Sequence, residues 1–273
     1  MNTARFDLTG KTAVVTGGAG ILGARFCGAL AEHGANVTIV DLNKEAAMET
    51  REKLITNGLP KEQLYALDCD VSDPASVAAM VDATVERFCS IDVLLNNAAS
   101  KSNDLEAFFA PFETFSLEEW RKIMSVNIDG MFLVAQAVGR QMLVQDRGGS
   151  IIQTASIYGV VAPDPRIYEG SHYLGRQINT PAVYSASKAA VIGLSLYLAA
   201  YWGEQGIRVN TLSPGGVESG QNEIFQQRYG ARVPLGRMAR GDEMLGAIVF
   251  LASDASSYFT GQNVVVDGGL SCW

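Results

Sequence analysis

Residues 11–41 read KTAVVTGGAGILGARFCGALAEHGANVTIVD, and their punctuation decides the fold. The short apolar run Lys11 to Thr16 breaks into Gly17-Gly18-Ala19-Gly20-Ile21-Leu22-Gly23. A helical pattern then continues to about His33 and stops at Gly34; a second apolar run, Asn36 to Val40, ends at Asp41. Strand, glycine turn, helix and strand make one βαβ unit. A bare glycine-rich turn is an ordinary loop. Between a strand and a helix, with an acid closing the next strand 24 residues after Gly17, it predicts a dinucleotide site. Gly17 permits the tight turn, Gly20 lets the backbone approach a pyrophosphate, and Gly23 allows close helix–strand packing. The helix start, from Ile21 and Leu22 onward, turns its free N–H groups to the phosphates. Asp41 suits both hydroxyls of an adenosine ribose and would repel a 2′-phosphate. Leu42 follows it and Lys44 is the one cation close behind, so NAD is expected in preference to NADP.

The alternation continues downstream. Helices are expected over Lys44 to Asn57, over Pro74 to Cys89 (capped by Ser72 or Asp73), over Ser116 to Gln145 and around Asp242 to Leu251. Further strands are expected at Gln63 to Leu67, Ile91 to Leu95, Gly149 to Thr154, Arg208 to Leu212 and Asn263 to Val266. This pattern predicts an α/β, Rossmann-type doubly wound fold: a seven-stranded parallel sheet with helices on both faces, in a single domain over residues 1–273. Ligands in such sheets bind beyond the carboxyl ends of the strands. There the chain places the glycine turn, Asp41, Asp70, Asn97, Ser156 and Pro214-Gly215.

Composition narrows the partners. A net charge of −8 argues against nucleic acid or an anionic membrane, and His33 and His172, the two histidines, cannot build a histidine-rich metal centre. No metal is expected. Cys27, Cys69, Cys89 and Cys272 show no paired spacing and read as idle thiols of a reducing compartment. Met1 to Thr9 has no basic-then-apolar leader and no uninterrupted apolar run reads as bilayer-spanning, so a cytoplasmic location is expected.

Tyr184-Ser185-Ala186-Ser187-Lys188 opens the apolar helix Ala189 to Ala200. Tyr184 and Lys188, four residues apart, project from one face. An adjacent ammonium favours a phenolate, and lowering a phenol by roughly 3 units takes about 4 kcal/mol, part of which a cationic cofactor could supply. The pair suits proton transfer near neutral pH. Taken alone it reads as a core-edge tyrosine beside a solvated lysine; the rest of the chain overturns that reading.

With these pieces together the sequence resembles the short-chain dehydrogenase/reductase superfamily, compact branch, over nearly its whole length. The resemblance rests on TGGAGILG (16–23), DV (70–71), NNAA (96–99), Asn127 in SVNIDG, Ser156 in IIQTAS, YSASK (184–188), RVN (208–210), PGGV (214–217) and VDGG (266–269). It implies a catalytic tetrad of Asn127, Ser156, Tyr184 and Lys188. Tyr184 would exchange a proton with the substrate oxygen and Ser156 would hydrogen-bond that oxygen. Lys188 would hold the nicotinamide ribose and shift Tyr184 toward phenolate, and Asn127 would position a water leading to Lys188. It also implies cofactor contacts from Gly17, Gly20, Ile21, Leu22, Gly23, Asp41, Leu42, Asp70, Val71, Asn97, Ala98, Ala99, Tyr184, Lys188, Pro214, Gly215, Val217 and Ser219. A homotetramer or homodimer acting on a small molecule follows from the same resemblance.

Several positions depart from the family pattern. The middle glycine falls at Gly20, as in the sugar-nucleotide branch, Ala99 replaces a usual glycine, and Ser219 stands for a common threonine at the nicotinamide carboxamide. Serine and tyrosine are about twice as far apart as usual. The excess, about 164–181, carries Arg166, Tyr168, Glu169, His172, Tyr173, Arg176, Gln177 and Asn179, and is expected to be a substrate-recognition lid. A surface elaboration is the plainer alternative. A second, mobile substrate loop is implied at about 217–235, where Phe225, Gln226 and Tyr229 either line the pocket or pack the loop down. The phrases IYGVVAPD, RIYEG, LSPGGV and VPLGR resemble a subgroup associated with flagellin modification and nonulosonic-acid synthesis. The expected activity is hydride transfer between nicotinamide and a secondary alcohol or ketone of a sugar, amino sugar or sugar phosphate. An epimerase or dehydratase using NAD transiently, and a non-catalytic NAD sensor, are the rivals.

Overall fold

The computed structural model describes residues 3–102 and 104–273; Met1, Asn2 and Asn103 lie outside the described residues, as do the side chains of Thr3 and Tyr173. The amino-terminal half runs β1 (Thr12–Thr16), α1 (Ile21–Glu32), β2 (Asn36–Asp41), α2 (Lys44–Thr56), β3 (Leu64–Asp68), α3 (Pro74–Phe88), β4 (Val93–Asn96), α4 (Leu105–Phe108), α5 (Leu117–Met124) and α6 (Met131–Gln145). The carboxyl-terminal half runs β5 (Gly149–Thr154), the two-residue strands β6 (His172–Tyr173) and β7 (Arg176–Gln177), α7 (Ala182–Trp202), β8 (Ile207–Pro214), α8 (Glu223–Gly230), α9 (Leu245–Ala252) and β9 (Asn263–Val266). Seven strands pair in the order β3-β2-β1-β4-β5-β8-β9, all parallel. The chain winds outward from β1 to β3, then returns to lay β4 against β1. The crevice for a ligand therefore opens between the carboxyl ends of β1 and β4.

Alternation along the strands makes two cores. Ala13, Val15, Val37, Ile39, Val93, Leu95 and Ile152 face α1, α2 and α9, where Phe26, Leu30, Ala47, Ile248 and Leu251 are buried. Val14, Val40, Leu94, Ile151 and Val209 face α3, α6 and α7, where Val77, Met80, Val134, Val138 and Trp202 are buried. Gly139 sits where a Cβ would meet the Trp202 ring at 2.3 Å, so α6 and α7 approach closely there. Asp73, rather than Ser72, caps α3, accepting from the Ala75 N–H at 3.0 Å.

One sequence expectation is corrected. The single helix expected over Ser116 to Gln145 is α5 and α6 joined by a π-helical segment, Ser125–Gly130, which inserts a wider turn at Asn127. Such insertions re-aim side chains and concentrate at functional sites. Ala182–Gln205 is, by length and composition, apolar enough to cross a membrane, although Lys188 and Gly193 interrupt its apolar run. Its apolarity reflects packing on one side, with Val183, Ser187, Lys188, Val191, Ser195, Leu198 and Trp202 buried at helical spacing. Leu196, Tyr197 and Tyr201 remain exposed on the other side.

One layer of the sheet is polar. Thr16 donates its hydroxyl to Asn96 Oδ1 (3.2 Å), Asn96 stands opposite Gln153, Gln153 opposite Thr211 and Thr211 opposite Asn263. This row crosses five strands just below the crevice.

Candidate active site

The glycine turn is built from close approaches. Gly17 has φ +62°, and a Cβ there would lie 3.0 Å from Ala98 Cα. A Cβ on Gly23 would lie 2.0 Å from the Gly17 carbonyl oxygen, so α1 begins in contact with the turn itself. Gly18, which the sequence reading left without a role, donates its N–H to Val40 O (2.8 Å) and leaves room for Ile39. Gly20 is the N-cap of α1 and supplies no side-chain cap, so the N–H groups of Ile21, Leu22 and Gly23 face the crevice. We expect Gly23→Ala to destabilise the fold by roughly 1–3 kcal/mol and to abolish measurable dinucleotide binding. Thermal unfolding and nucleotide titration check this; near-wild-type affinity would contradict the reading of the turn.

A cavity of about 270 Å³ lies beside the turn, lined by Gly17, Asp41, Leu42, Asp70, Val71, Ala98, Ala99 and Ser100 among others. Asp41 ends β2, and its carboxylate accepts from Ala19 N–H (3.1 Å) and Asn43 N–H (3.2 Å). Leu42 is 73% exposed at the rim. Lys44 pairs at 3.2 Å with Asp68, which stands in register with Asp41 on the neighbouring strand. Asp70 is tied to Ser72 through its hydroxyl (2.6 Å) and N–H (2.9 Å). Thr16 Oγ1 accepts from the N–H groups of Asn97 (2.9 Å) and Ala98 (3.0 Å), fixing the β4 end against the turn. An uncapped helix start, a turn that tolerates no Cβ and an adjoining cavity with an acid at its edge fit an adenine dinucleotide.

Across the crevice, Ser156 follows β5 and Tyr184 stands in the first turn of α7. Ser156 Oγ accepts from Tyr158 N–H (3.2 Å), and the serine hydroxyl lies near enough to the Tyr184 phenol to lower it. Lys188 lies one turn on, with Nζ 5.8 Å from the centre of the Tyr184 ring. It is 2% exposed and donates to Thr154 O at 2.9 Å. Burial drives it down to about 8. Asn127, fully buried, accepts from Ser100 N–H (2.8 Å) and donates to Ser187 Oγ (3.2 Å), clamping the β4 end to α7 beside Lys188. All four expected residues converge. Tyr184 differs from the expectation in one respect: its phenol is pushed up, not down, first by burial and further by Tyr168, against the lowering effect of Ser156. Lys188 is itself desolvated and donates to Thr154 O.

Pro214 ends β8, and Gly215 lies where a Cβ would meet Asp267 Cα at 2.7 Å. Val217 bridges Ala239, while Ser219 is exposed and holds Gln221 Nε2 through its hydroxyl (2.8 Å). The 164–181 segment is docked rather than free-standing. Asp164 binds Arg166 (2.8 Å) and Arg232, Glu169 binds Arg228 (2.8 Å), and Arg176 binds Glu106 (3.0 Å). Tyr168 stacks toward Phe225, which packs on Tyr229, in a small core shared with α8. Most donors read from that segment are therefore engaged within the protein, Asn179 included, which donates to Phe109 O (3.0 Å).

A nicotinamide-dependent oxidoreductase is the class of protein that this switch-point crevice and the phenol–ammonium pair define. Residues 11–229 match the family model described as short chain dehydrogenase, and the chain belongs to that family. It is 40% identical over 269 residues to a D-threitol dehydrogenase of Mycolicibacterium smegmatis, covering 97% of this chain and 94% of the relative. It is 34% identical over 286 residues to a ribulose-forming D-arabinitol 2-dehydrogenase of Candida tropicalis, covering 98% and 95%. Among solved structures, a gluconate 5-dehydrogenase from Burkholderia cenocepacia, in complex with NADP and tartrate, superposes with a TM-score of 0.85 at 34% identity, covering 98% of each chain. The protein is an NAD(P)-dependent oxidoreductase acting on the CH–OH group of an alcohol or sugar.

Proposed function

We propose that the chain oxidises a secondary hydroxyl of a polyol or sugar, with NAD preferred to NADP. The observation that carries the reading is the convergence of Ser156, Tyr184 and Lys188 at the mouth of the β1–β4 crevice. The dinucleotide, when bound, supplies the hydride acceptor. Tyr184 Oη takes the proton of the reacting hydroxyl, and Ser156 Oγ holds the same oxygen and favours the ionised phenol. Lys188 is placed to hold the nicotinamide ribose, where a bound cationic ring would add the depression that Tyr184 lacks here. Asn127 keeps α7 in register with the β4 end and stands where a water leading to Lys188 would sit. Asp41 at the cavity rim supports NAD: a carboxylate there suits the ribose hydroxyls and would repel a 2′-phosphate.

We place the remaining cofactor contacts at Gly17, Gly20, Ile21, Leu22, Gly23, Leu42, Asp70, Val71, Asn97, Ala98, Ala99, Pro214, Gly215, Val217 and Ser219. The exposed Leu196, Tyr197 and Tyr201 on α7, the two tyrosines stacked at 5.8 Å, support contact with a second copy of the chain in a dimer or tetramer. Free thiols at Cys27, Cys69, Cys89 and Cys272 support the cytoplasm. A screen of tetritols, pentitols, hexitols, amino sugars and sugar phosphates, read as NADH formation, tests the assignment. At least one polyhydroxylated compound is expected to give net NADH, with NAD bound about tenfold or more tighter than NADP. Turnover without net NADH would favour the epimerase reading, and tighter NADP binding would reverse the cofactor preference.

A further inference from the structure

Tyr229 reaches back from α8 to the turn that follows β8. Its phenol oxygen accepts from Gly216 N–H, and its ring lies against that glycine. A Cβ on Gly216 would stand 2.6 Å from Tyr229 Cζ and 2.8 Å from Cε1, so no other residue type fits beneath the ring as it is placed. The Gly216 carbonyl accepts from Ala239 N–H (2.9 Å), and Gly215 N–H donates to Val266 O (2.9 Å). Three holds therefore set the turn over residues 214–217. Those from Val266 and Ala239 belong to β9 and to the chain leading into α9. The third belongs to α8, within the segment expected to cover the substrate.

Sheet order places this turn. A dinucleotide with its ribose at Asp41 on β2 and its pyrophosphate on the glycine turn after β1 extends across β4 toward β5. Ser156 follows β5, Tyr184 and Lys188 stand opposite on α7, and β8 is the next strand along. The reactive ring therefore ends beside the 214–217 turn. Tyr229 also connects that turn to the catalytic helix. Its ring packs on Phe225 with centroids 5.8 Å apart, and Phe225 packs on Tyr168 at 5.6 Å. Tyr168 shares a hydrogen bond between its hydroxyl and Thr180 Oγ1, two residues before α7 begins. All three rings are buried. A single aromatic stack thus runs from one wall of the nicotinamide end to the other.

We propose that Tyr229 is a positioning residue that fixes the 214–217 turn for the nicotinamide half of the dinucleotide, leaving the adenosine half to the β1–β2 side of the crevice. The inference rests on the dehydrogenase reading above and deepens it. It gives the inserted segment a function besides covering the substrate: through Tyr168 and Phe225 it steadies the ring that holds Gly216.

The experiment measures dissociation constants of NADH and of ADP-ribose, which lacks the nicotinamide, for the full-length wild type and Tyr229→Phe. Wild type is expected to bind NADH the more tightly. Tyr229→Phe keeps the ring and removes the acceptor of Gly216 N–H, and should lower the NADH-to-ADP-ribose affinity ratio by roughly fivefold, with ADP-ribose affinity unchanged. Gly216→Ala forces the ring and the turn apart while leaving the phenol in place, and should lower the same ratio. A ratio unchanged in Tyr229→Phe, equal weakening of both ligands, or a wild type that binds them equally overturns the proposal and leaves the dehydrogenase reading intact. A wild type that binds neither ligand would sink that reading, and this inference with it.

Discussion

Tyr184→Phe is expected to lower kcat by about a thousandfold, the middle of the range in which a positioned general acid or base contributes. The loss should fall on kcat rather than on dinucleotide affinity, because the ring stays packed in the first turn of α7 and only the proton-carrying oxygen is removed. Steady-state kinetics with the best polyol, alongside a nucleotide titration, separate the two. Full turnover in the variant would remove Tyr184 from the chemistry. The wild-type pH profile bears on the same group. Burial and Tyr168 hold the Tyr184 phenol above its ordinary value in the cofactor-free protein. The acid limb of the oxidation profile, which reports phenol ionisation, should therefore sit at higher pH for kcat/KM than expected of a phenol beside a fully effective ammonium.

Lys188→Met is expected to do two opposed things: raise the stability of the cofactor-free protein and reduce turnover by about 100-fold or more. Lys188 is buried with desolvation as the sole cause of its shift, from 10.5 to about 8. Its charged form is disfavoured by folding, which amounts to about 3 kcal/mol at pH 7, where both folded and unfolded chains carry the proton. Between about 8 and 10.5 the unfolded chain holds the extra proton, so the wild type gains stability as pH rises through that window. Methionine keeps much of the volume and removes the charge. The variant should unfold at higher denaturant at pH 7 and lose that pH slope, offset in part by the lost bond to Thr154 O. A variant less stable than wild type at pH 7 would show that the ammonium is better solvated than its burial indicates. A lysine held at such a disadvantage belongs to function rather than to folding.

Much of the site was legible from local text. The βαβ unit, the strand-end acid at Asp41 and the i, i+4 pair of Tyr184 and Lys188 depend on spacings within one or two elements, which period and turn chemistry expose. The seven strands were readable for the same reason, since buried parallel strands are short apolar runs bounded by breakers. The misses share a cause. The π turn around Asn127 has no local marker, because Ser125 to Asp129 would be acceptable in an ordinary helix; it is imposed where Gly130 lets Val71 approach and where Asn127 must reach both Ser100 and Ser187. Gly18 looked redundant until β2 was laid against it. The polar row from Thr16 to Asn263 joins residues of five strands and cannot be seen in any one of them. The direction of the Tyr184 shift turned on the burial of its own phenol, a property of the assembled core.

The ion pairs from Asp164 to Arg232 and from Glu169 to Arg228 join segments that are separated by roughly sixty residues of chain and contain the whole of α7 between them. Neither segment can drift in sequence independently, since a carboxylate on one is matched to a guanidinium on the other. A lineage that remodels what this enzyme accepts must change both segments in step, or strand an unmatched charge beside the aromatic packing of Tyr168, Phe225 and Tyr229. New selectivities in this branch should arrive as correlated pairs of substitutions rather than as single ones.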